Sequence, residues 1–199
     1  RISGIAEAVK AAAIRDRSFF EWIEERAGSL ESGEVEATSG LIEQSIRIKA
    51  DVVAEDPEER GLRAILNFGH TFGHALESLT GFAVLHGEAV AAGMRMECRL
   101  GESVGVTGAG SGDRLDAVLE ACGLPEVLEP PLDLDDLLDR AATDKKSRAG
   151  SLHWVLLSAI GEVARSGDGK WTHRIPASEC RAPLEAALRR AFEAADSTA

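Results

Sequence analysis

Leu66-Asn67-Phe68-Gly69-His70-Thr71-Phe72-Gly73-His74-Ala75 is the stretch on which the reading of this chain turns. Its two histidines are four residues apart, so on a helix both imidazoles project from the same side. Gly69 and Gly73 each sit one step before a histidine. A glycine inside a helix costs about 1 kcal/mol of helix propensity, and this segment accepts that cost twice. What glycine offers in return is close approach of another backbone or a ligand. The spacing predicts a helix over 68–79. HxxxH is a metal-ligand spacing, but Thr71 follows His70, so the zinc-protease HExxH pattern fails. An isolated pair of this kind is more often two histidines packed on a helix face.

Working outward, His86-Gly87-Glu88 adds a third candidate ligand at the start of a predicted helix over 85–104. Three protein ligands plus an open position is the catalytic zinc arrangement. A carboxylate such as Glu7 would complete a set of two histidines and one acid. The 85–104 segment is rich in small residues (Gly87, Ala89, Ala91, Ala92, Gly93), which permits tight packing. Upstream, Ser3 can cap a helix to about Arg15, and Asp16 can cap another whose apolar side holds Phe19, Phe20 and Ile23. Leu41, Ile42, Ser45, Ile46, Lys49, Val52 and Val53 recur at helical spacing along 36–55. Further helices are expected over 112–122, 133–142 and 177–194. Gly105–Gly112 reads as a plain loop, because GxxxxGK[ST] is missing and no apolar strand precedes it. After Gly150 the pattern turns β-branched and apolar, Gly161 breaks it, and 151–166 reads as a hairpin. No strand–helix alternation marks a Rossmann unit. The expected fold is mainly α, a multi-helix domain across 1–199 with one small β-hairpin.

The chain has 199 residues, with 22 Lys plus Arg against 34 Asp plus Glu, a formal charge of −12. That balance argues against nucleic-acid binding, which needs basic surface to displace counterions. It leaves room for a small anion, since a few cations can line a pocket in an acidic protein. No apolar run approaches the roughly 20 residues of a membrane span. Cys98, Cys122 and Cys180 are widely spaced and odd in number, which suits reduced thiols in a cytoplasmic protein. The first residue is Arg1, not Met, and a dense motif begins at Ser3, so the chain reads as the later part of something longer. Lys10, three residues from Glu7, together with Lys49, Arg63 and Lys145-Lys146, would suit a substrate carrying carboxylate or phosphate beside a metal. Taken singly, each is more often a solvated surface charge.

Five blocks in order then give a family likeness. Ser3-Gly4-Ile5-Ala6-Glu7-Ala8-Val9-Lys10 resembles the SGxAExIK segment of the 3-dehydroquinate synthase family. Lys49-Ala50-Asp51-Val52-Val53, Asp56 and Glu59-Arg60-Gly61-Leu62-Arg63-Ala64 resemble its next segment. Leu66 to Ala75 and Leu85-His86-Gly87-Glu88-Ala89-Val90 carry its most specific motifs, and Asp144-Lys145-Lys146, Val155-Leu156-Leu157 and Ile160-Gly161 match its last. The likeness runs from about residue 3 to 165.

The resemblance implies an NAD- and metal-dependent lyase, with Zn2+ or Co2+. Its members convert 3-deoxy-D-arabino-heptulosonate 7-phosphate into 3-dehydroquinate and phosphate in the shikimate pathway of aromatic amino acid biosynthesis. The metal ligands it implies are Glu7, His70 and His86, so only one histidine of the HxxxH pair would bind metal. His74 would face the substrate as an acid–base or hydrogen-bonding group. Lys10, Lys49, Arg63, Asn67 and one of Lys145 or Lys146 match substrate-contacting positions, and Glu59 matches an acid near the reacting hydroxyl. It also implies a cytoplasmic homodimer as the full-length protein, and an N-terminal α/β domain for NAD that these residues do not supply. The isolated chain is accordingly expected to be inactive. Ala11-Ala12 stands where the family has Tyr-Gly, a departure in packing. Another sugar-phosphate cyclase, a metal-dependent polyol dehydrogenase of the same fold, or a non-catalytic relative are the competing expectations.

Overall fold

The computed structural model describes residues 1–124, 133–144 and 151–196. The expected mainly helical fold is what it shows. Helix α1 (Ile2–Arg15) is buried along most of its length, and α2 (Arg17–Ser32) and α3 (Val35–Glu55) pack on it. A 3-10 segment (Leu62–Asn67) leads into α4 (His70–Leu79), which pairs closely with α5 (His86–Ser103). Helices α6 (Ser111–Ala121), α7 (Leu134–Asp144) and α8 (Ala177–Asp196) complete the helical set among the described residues.

Asp16 caps α2 as expected: its carboxylate accepts from the Phe19 N–H at 2.9 Å. Phe19, Phe20 and Ile23 behind it are at most 1% exposed. Burying each side chain contributes about 1.5–3 kcal/mol, more than the cap's ~1 kcal/mol. Ser3 does not cap α1. It lies inside the helix, and its hydroxyl instead accepts from the Gly87 N–H at 3.2 Å, tying α1 to the start of α5. The expected stripe on α3 also splits. Leu41 and Val52 are buried together with Ala37 and Ile48, whereas Ile42 and Ile46 are exposed. The buried line is narrow because α1 and α2 cover only one side of α3. The neighbouring line, with Ser45, Ile46 and Lys49, faces a cavity.

The expected single hairpin over 151–166 is two pairings. Strand β1 (Ser151–Trp154) pairs antiparallel with β4 (His173–Pro176), and β2 (Leu157–Ala159) pairs with β3 (Glu162–Val163). The short turn at Gly161, with φ +92°, closes only the second pair. Val155 and Leu156, both buried, separate β1 from β2. The four residues His173–Pro176 are too short and too polar to announce themselves as the partner of β1.

The α4–α5 contact sets the architecture around the histidines. A Cβ built on Gly93 would lie 1.9 Å from the Gly69 carbonyl oxygen, and one on Gly73 would lie 3.3 Å from that of Ala89. Gly69 has φ +78° and opens α4. Gly87 meets α1 in the same way, since its Cβ would sit 2.3 Å from Ser3 Cα. We expect Gly93→Ala to destabilise the chain by about 3 kcal/mol or more, because backbone, not a flexible side-chain end, must move. Equilibrium urea unfolding measures this, and a change under ~0.5 kcal/mol would mean that α4 and α5 can separate freely.

Candidate functional site

Three elements each bring one donor to a common point. Glu7 comes from α1, His70 from the first residue of α4 and His86 from the first residue of α5. One ligand atom from each lies within 4.8 Å of the other two. Glu7 Oε1 is 3.5 Å from His70 Nε2 and 3.7 Å from His86 Nε2. That oxygen is buried and accepts no hydrogen bond.

The outer face of each imidazole is fixed. His70 Nδ1 lies 3.2 Å from the Phe68 carbonyl oxygen. A carbonyl can only accept, so Nδ1 carries the proton and, in the neutral ring, Nε2 presents a lone pair. Burial, followed by the nearby Lys10 ammonium, pushes the His70 pKa down to about 4, so the ring is neutral at neutral pH. A lone pair and a carboxylate oxygen therefore face each other at 3.5 Å, which is unfavourable unless a cation lies between them. His86 Nδ1 is held at 3.1 Å by Glu77 Oε1. Two nitrogens and one oxygen in this arrangement fit a divalent cation of the zinc type.

Glu7 also looks the other way. Its Oε2 accepts from Lys10 Nζ at 2.7 Å. Burial alone would raise the Glu7 pKa, but the Lys10 charge and hydrogen bond, with smaller help from His70 and His86, hold it below the usual value. Burial lowers that of Lys10; Glu7 opposes the shift, and the nearby Lys49 charge adds to it. A lysine that is only 5% exposed and has a second cation nearby is primed to receive an anion.

Beside these groups lies a cavity of about 460 Å³. Lys49, Glu59, Arg63 and Asn67 line it together with Glu7, Lys10 and His70. Arg63 Nη2 is 3.1 Å from Glu59 Oε1, while Arg63 Nε is buried with no hydrogen-bond partner. The backbone that carries these side chains is wound around Asp56. Its two carboxylate oxygens accept from the N–H groups of Arg60, Gly61 and Arg63 at 2.7, 2.9 and 3.0 Å. Those bonds, that of Arg63 first, hold the Asp56 pKa below the ordinary carboxylate value. Glu59 is held at φ +56°, a conformation that non-glycine residues rarely adopt.

The profile of the family "3-dehydroquinate synthase C-terminal" matches residues 4–147, most of the chain. The chain belongs to that family. It is 43% identical over 167 residues to the 3-dehydroquinate synthase of Symbiobacterium thermophilum, covering 83% of this chain and 47% of that protein. The enzyme of the same name from Acidithiobacillus ferrooxidans is also 43% identical over 167 residues, with 83% and 46% covered. The chain thus spans about half the length of these relatives. Among solved structures, 2-epi-5-epi-valiolone synthase from Streptomyces hygroscopicus subsp. jinggangensis, with NAD+ and Zn2+ bound, superimposes with a TM-score of 0.80 at 26% identity. It covers 95% of this chain and 51% of that one. A 2-deoxy-scyllo-inosose synthase shares the fold at TM-score 0.81 and 23% identity, over 92% of this chain and 52% of that one.

Within the family frame, most of the residues singled out from sequence fall in one place. Glu7, His70 and His86 form the donor cluster, and Lys10, Lys49, Glu59, Arg63 and Asn67 line the adjoining cavity. His74 stands edge-on to His70 with ring centroids 5.2 Å apart and lies outside the cavity lining. Lys145 and Lys146 lie outside the described residues. Three further groups support the site without a strong signal in the sequence. Glu77 holds His86, and its position seven residues after His70 on the same helix face was the available signal. Asp56 appeared only as a motif letter. Glu97, fully buried on α5, accepts from the Gly69 N–H at 3.0 Å and so fixes the residue before His70.

Asp56 gives the pH expectation. Its pKa is lower folded than unfolded, so its stabilisation is full above the ordinary carboxylate value and is lost as pH falls through the folded value. Asp56→Asn should be less stable than the parent at pH 7, with the gap narrowing below about pH 4. Denaturant titrations at pH 7 and pH 3 check this. A gap that stays constant would contradict the charge-based role.

Proposed function

We propose that this chain supplies the metal- and substrate-binding half of a 3-dehydroquinate synthase, a carbon–oxygen lyase that works with NAD and Zn2+ or Co2+. The reaction converts 3-deoxy-D-arabino-heptulosonate 7-phosphate to 3-dehydroquinate and phosphate. The observation that carries this is the lone pair of His70 Nε2 turned onto the buried Glu7 Oε1, beside a cavity lined with cations. Relatives named for this activity at 43% identity support it. The fold neighbours, with NAD+ and Zn2+ in one and NAD+ and Co2+ in another, support the cofactor choice.

Glu7, His70 and His86 would hold the metal. When bound, the metal supplies Lewis-acid polarisation of a substrate oxygen and fixes its orientation. NAD would carry the hydride, placed by parts of the longer protein. In this chain Lys10, Lys49 and Arg63 bind the carboxylate and phosphate. Arg63 can do so as a planar fork, and the two lysines as point charges. Asn67 orients hydroxyls, and Glu59 stands at the cavity to accept a proton. His74, next to His70, would serve as an acid–base or hydrogen-bonding group. Lys145 or Lys146 would add a further cation. By likeness to the family, the full-length protein would be a cytoplasmic homodimer. Among the described residues no helix is long and apolar enough to cross a membrane.

A related cyclase using sedoheptulose 7-phosphate is the second reading, favoured by the valiolone synthase likeness at 26% identity. Calorimetry on the zinc-loaded chain separates the two. The ulosonate phosphate should bind more tightly than sedoheptulose 7-phosphate, which lacks the carboxylate. Arg63→Ala should weaken that binding by about 10-fold to 100-fold, the loss of a charge-assisted contact. Equal affinity for both sugars would favour the second reading, and an unaffected Arg63→Ala variant would remove the cavity as the substrate site.

A further inference from the structure

A neutral imidazole has one N–H and one lone pair, so what binds one nitrogen decides what the other can do. His86 is the most open member of the donor cluster, with 42% of its side chain exposed. Its ring is not gripped by backbone as that of His70 is. Its outer nitrogen, Nδ1, lies 3.1 Å from Glu77 Oε1. Glu77 itself is well covered, with a side chain 15% exposed, and it rides on α4, the helix whose first residue is His70. His70, His74 and Glu77 are spaced along one face of that helix. An acid there is poorly explained as surface charge, because it faces inward onto a ring whose other nitrogen is 3.7 Å from Glu7 Oε1.

We propose that Glu77 is a positioning residue for the metal centre: it accepts a hydrogen bond from the Nδ1–H of His86, locks that tautomer and aims the Nε2 lone pair at the point shared with Glu7 and His70. The inference rests on the metal-binding reading above. It makes α4 a double contributor, giving one ligand directly and orienting a second that belongs to α5. Fixing a half-exposed ring in this way removes rotamer freedom before the cation arrives, and a carboxylate partner raises the ligand's basicity.

Zinc affinity of the 199-residue chain, measured by competition with a chromophoric chelator, tests this. Glu77→Ala should bind Zn2+ about 10-fold to 100-fold more weakly than the parent. Glu77→Gln should fall between the two, because its amide oxygen still accepts from Nδ1–H but carries no charge. In a His86→Ala background, Glu77→Ala should add less than about a 2-fold change, since the residue it acts through is gone. Thermal unfolding without metal should be nearly unchanged in Glu77→Gln, which separates positioning from general packing. Parent-like affinity in Glu77→Ala, or an undiminished loss in the His86→Ala background, would overturn the proposal while leaving the metal site intact. A parent chain that binds no Zn2+ would overturn both.

Discussion

The structure depends on backbone coming closer to backbone than side chains allow. Gly93 lies against the Gly69 carbonyl, and Gly87 lies against Ser3. These contacts draw α5 against α4 and α1 at once. The three donors sit beside these crossings: His70 follows Gly69, His86 precedes Gly87, and Glu7 is one turn beyond Ser3. With larger residues at these crossings the helices would stand further apart, and atoms now within 4.8 Å would no longer share one point. Gly93, in the interior of α5, costs about 1 kcal/mol of helix propensity. Removing the close approach would instead cost the site its geometry.

Carboxylates then hold what the glycines bring together. Glu97 accepts from the Gly69 N–H and keeps the start of α4 in place. Asp56 gathers three backbone donors and presents Glu59 and Arg63 to the cavity. Glu88 reaches back to the Leu85 N–H at 3.0 Å and fixes the first turn of α5, where His86 lies. All of these positions are acidic, which gives part of the net charge of −12 a structural meaning. A chain can be strongly acidic overall and still build a cationic pocket, because many of the described carboxylates accept from backbone or pair with arginine or lysine elsewhere.

Much of this was legible in the sequence, for identifiable reasons. The Asp16 cap and the Phe19, Phe20, Ile23 face follow from local rules of helix starts and periodicity. The glycine–histidine spacing of 69–74 pointed to close packing because glycine has few other uses inside a helix. What was not legible depended on contacts distant in sequence. Ser3 has the chemistry of a cap, but its hydroxyl meets Gly87, 84 residues away. The partner of β1 lies beyond the nearest turn, so local turn chemistry named the wrong strand. Ile42 and Ile46 match a helical period but lie beside the buried line, since periodicity gives a face and not what covers it.

The two oxygens of Glu7 have separate duties, and this links the halves of the site. Oε1 faces the two histidines and Oε2 holds Lys10. Burying Lys10 alone would be costly, as the downward push on its pKa shows. Glu7 offsets that burial and keeps the ammonium at the cavity edge. A cation drawn to Oε1 would take up part of the same negative charge and loosen the hold on Lys10, leaving more of the ammonium's attraction for an incoming anion. A cation at Oε1 and an anion at Lys10 would therefore favour each other through one carboxylate, with no movement of any helix required.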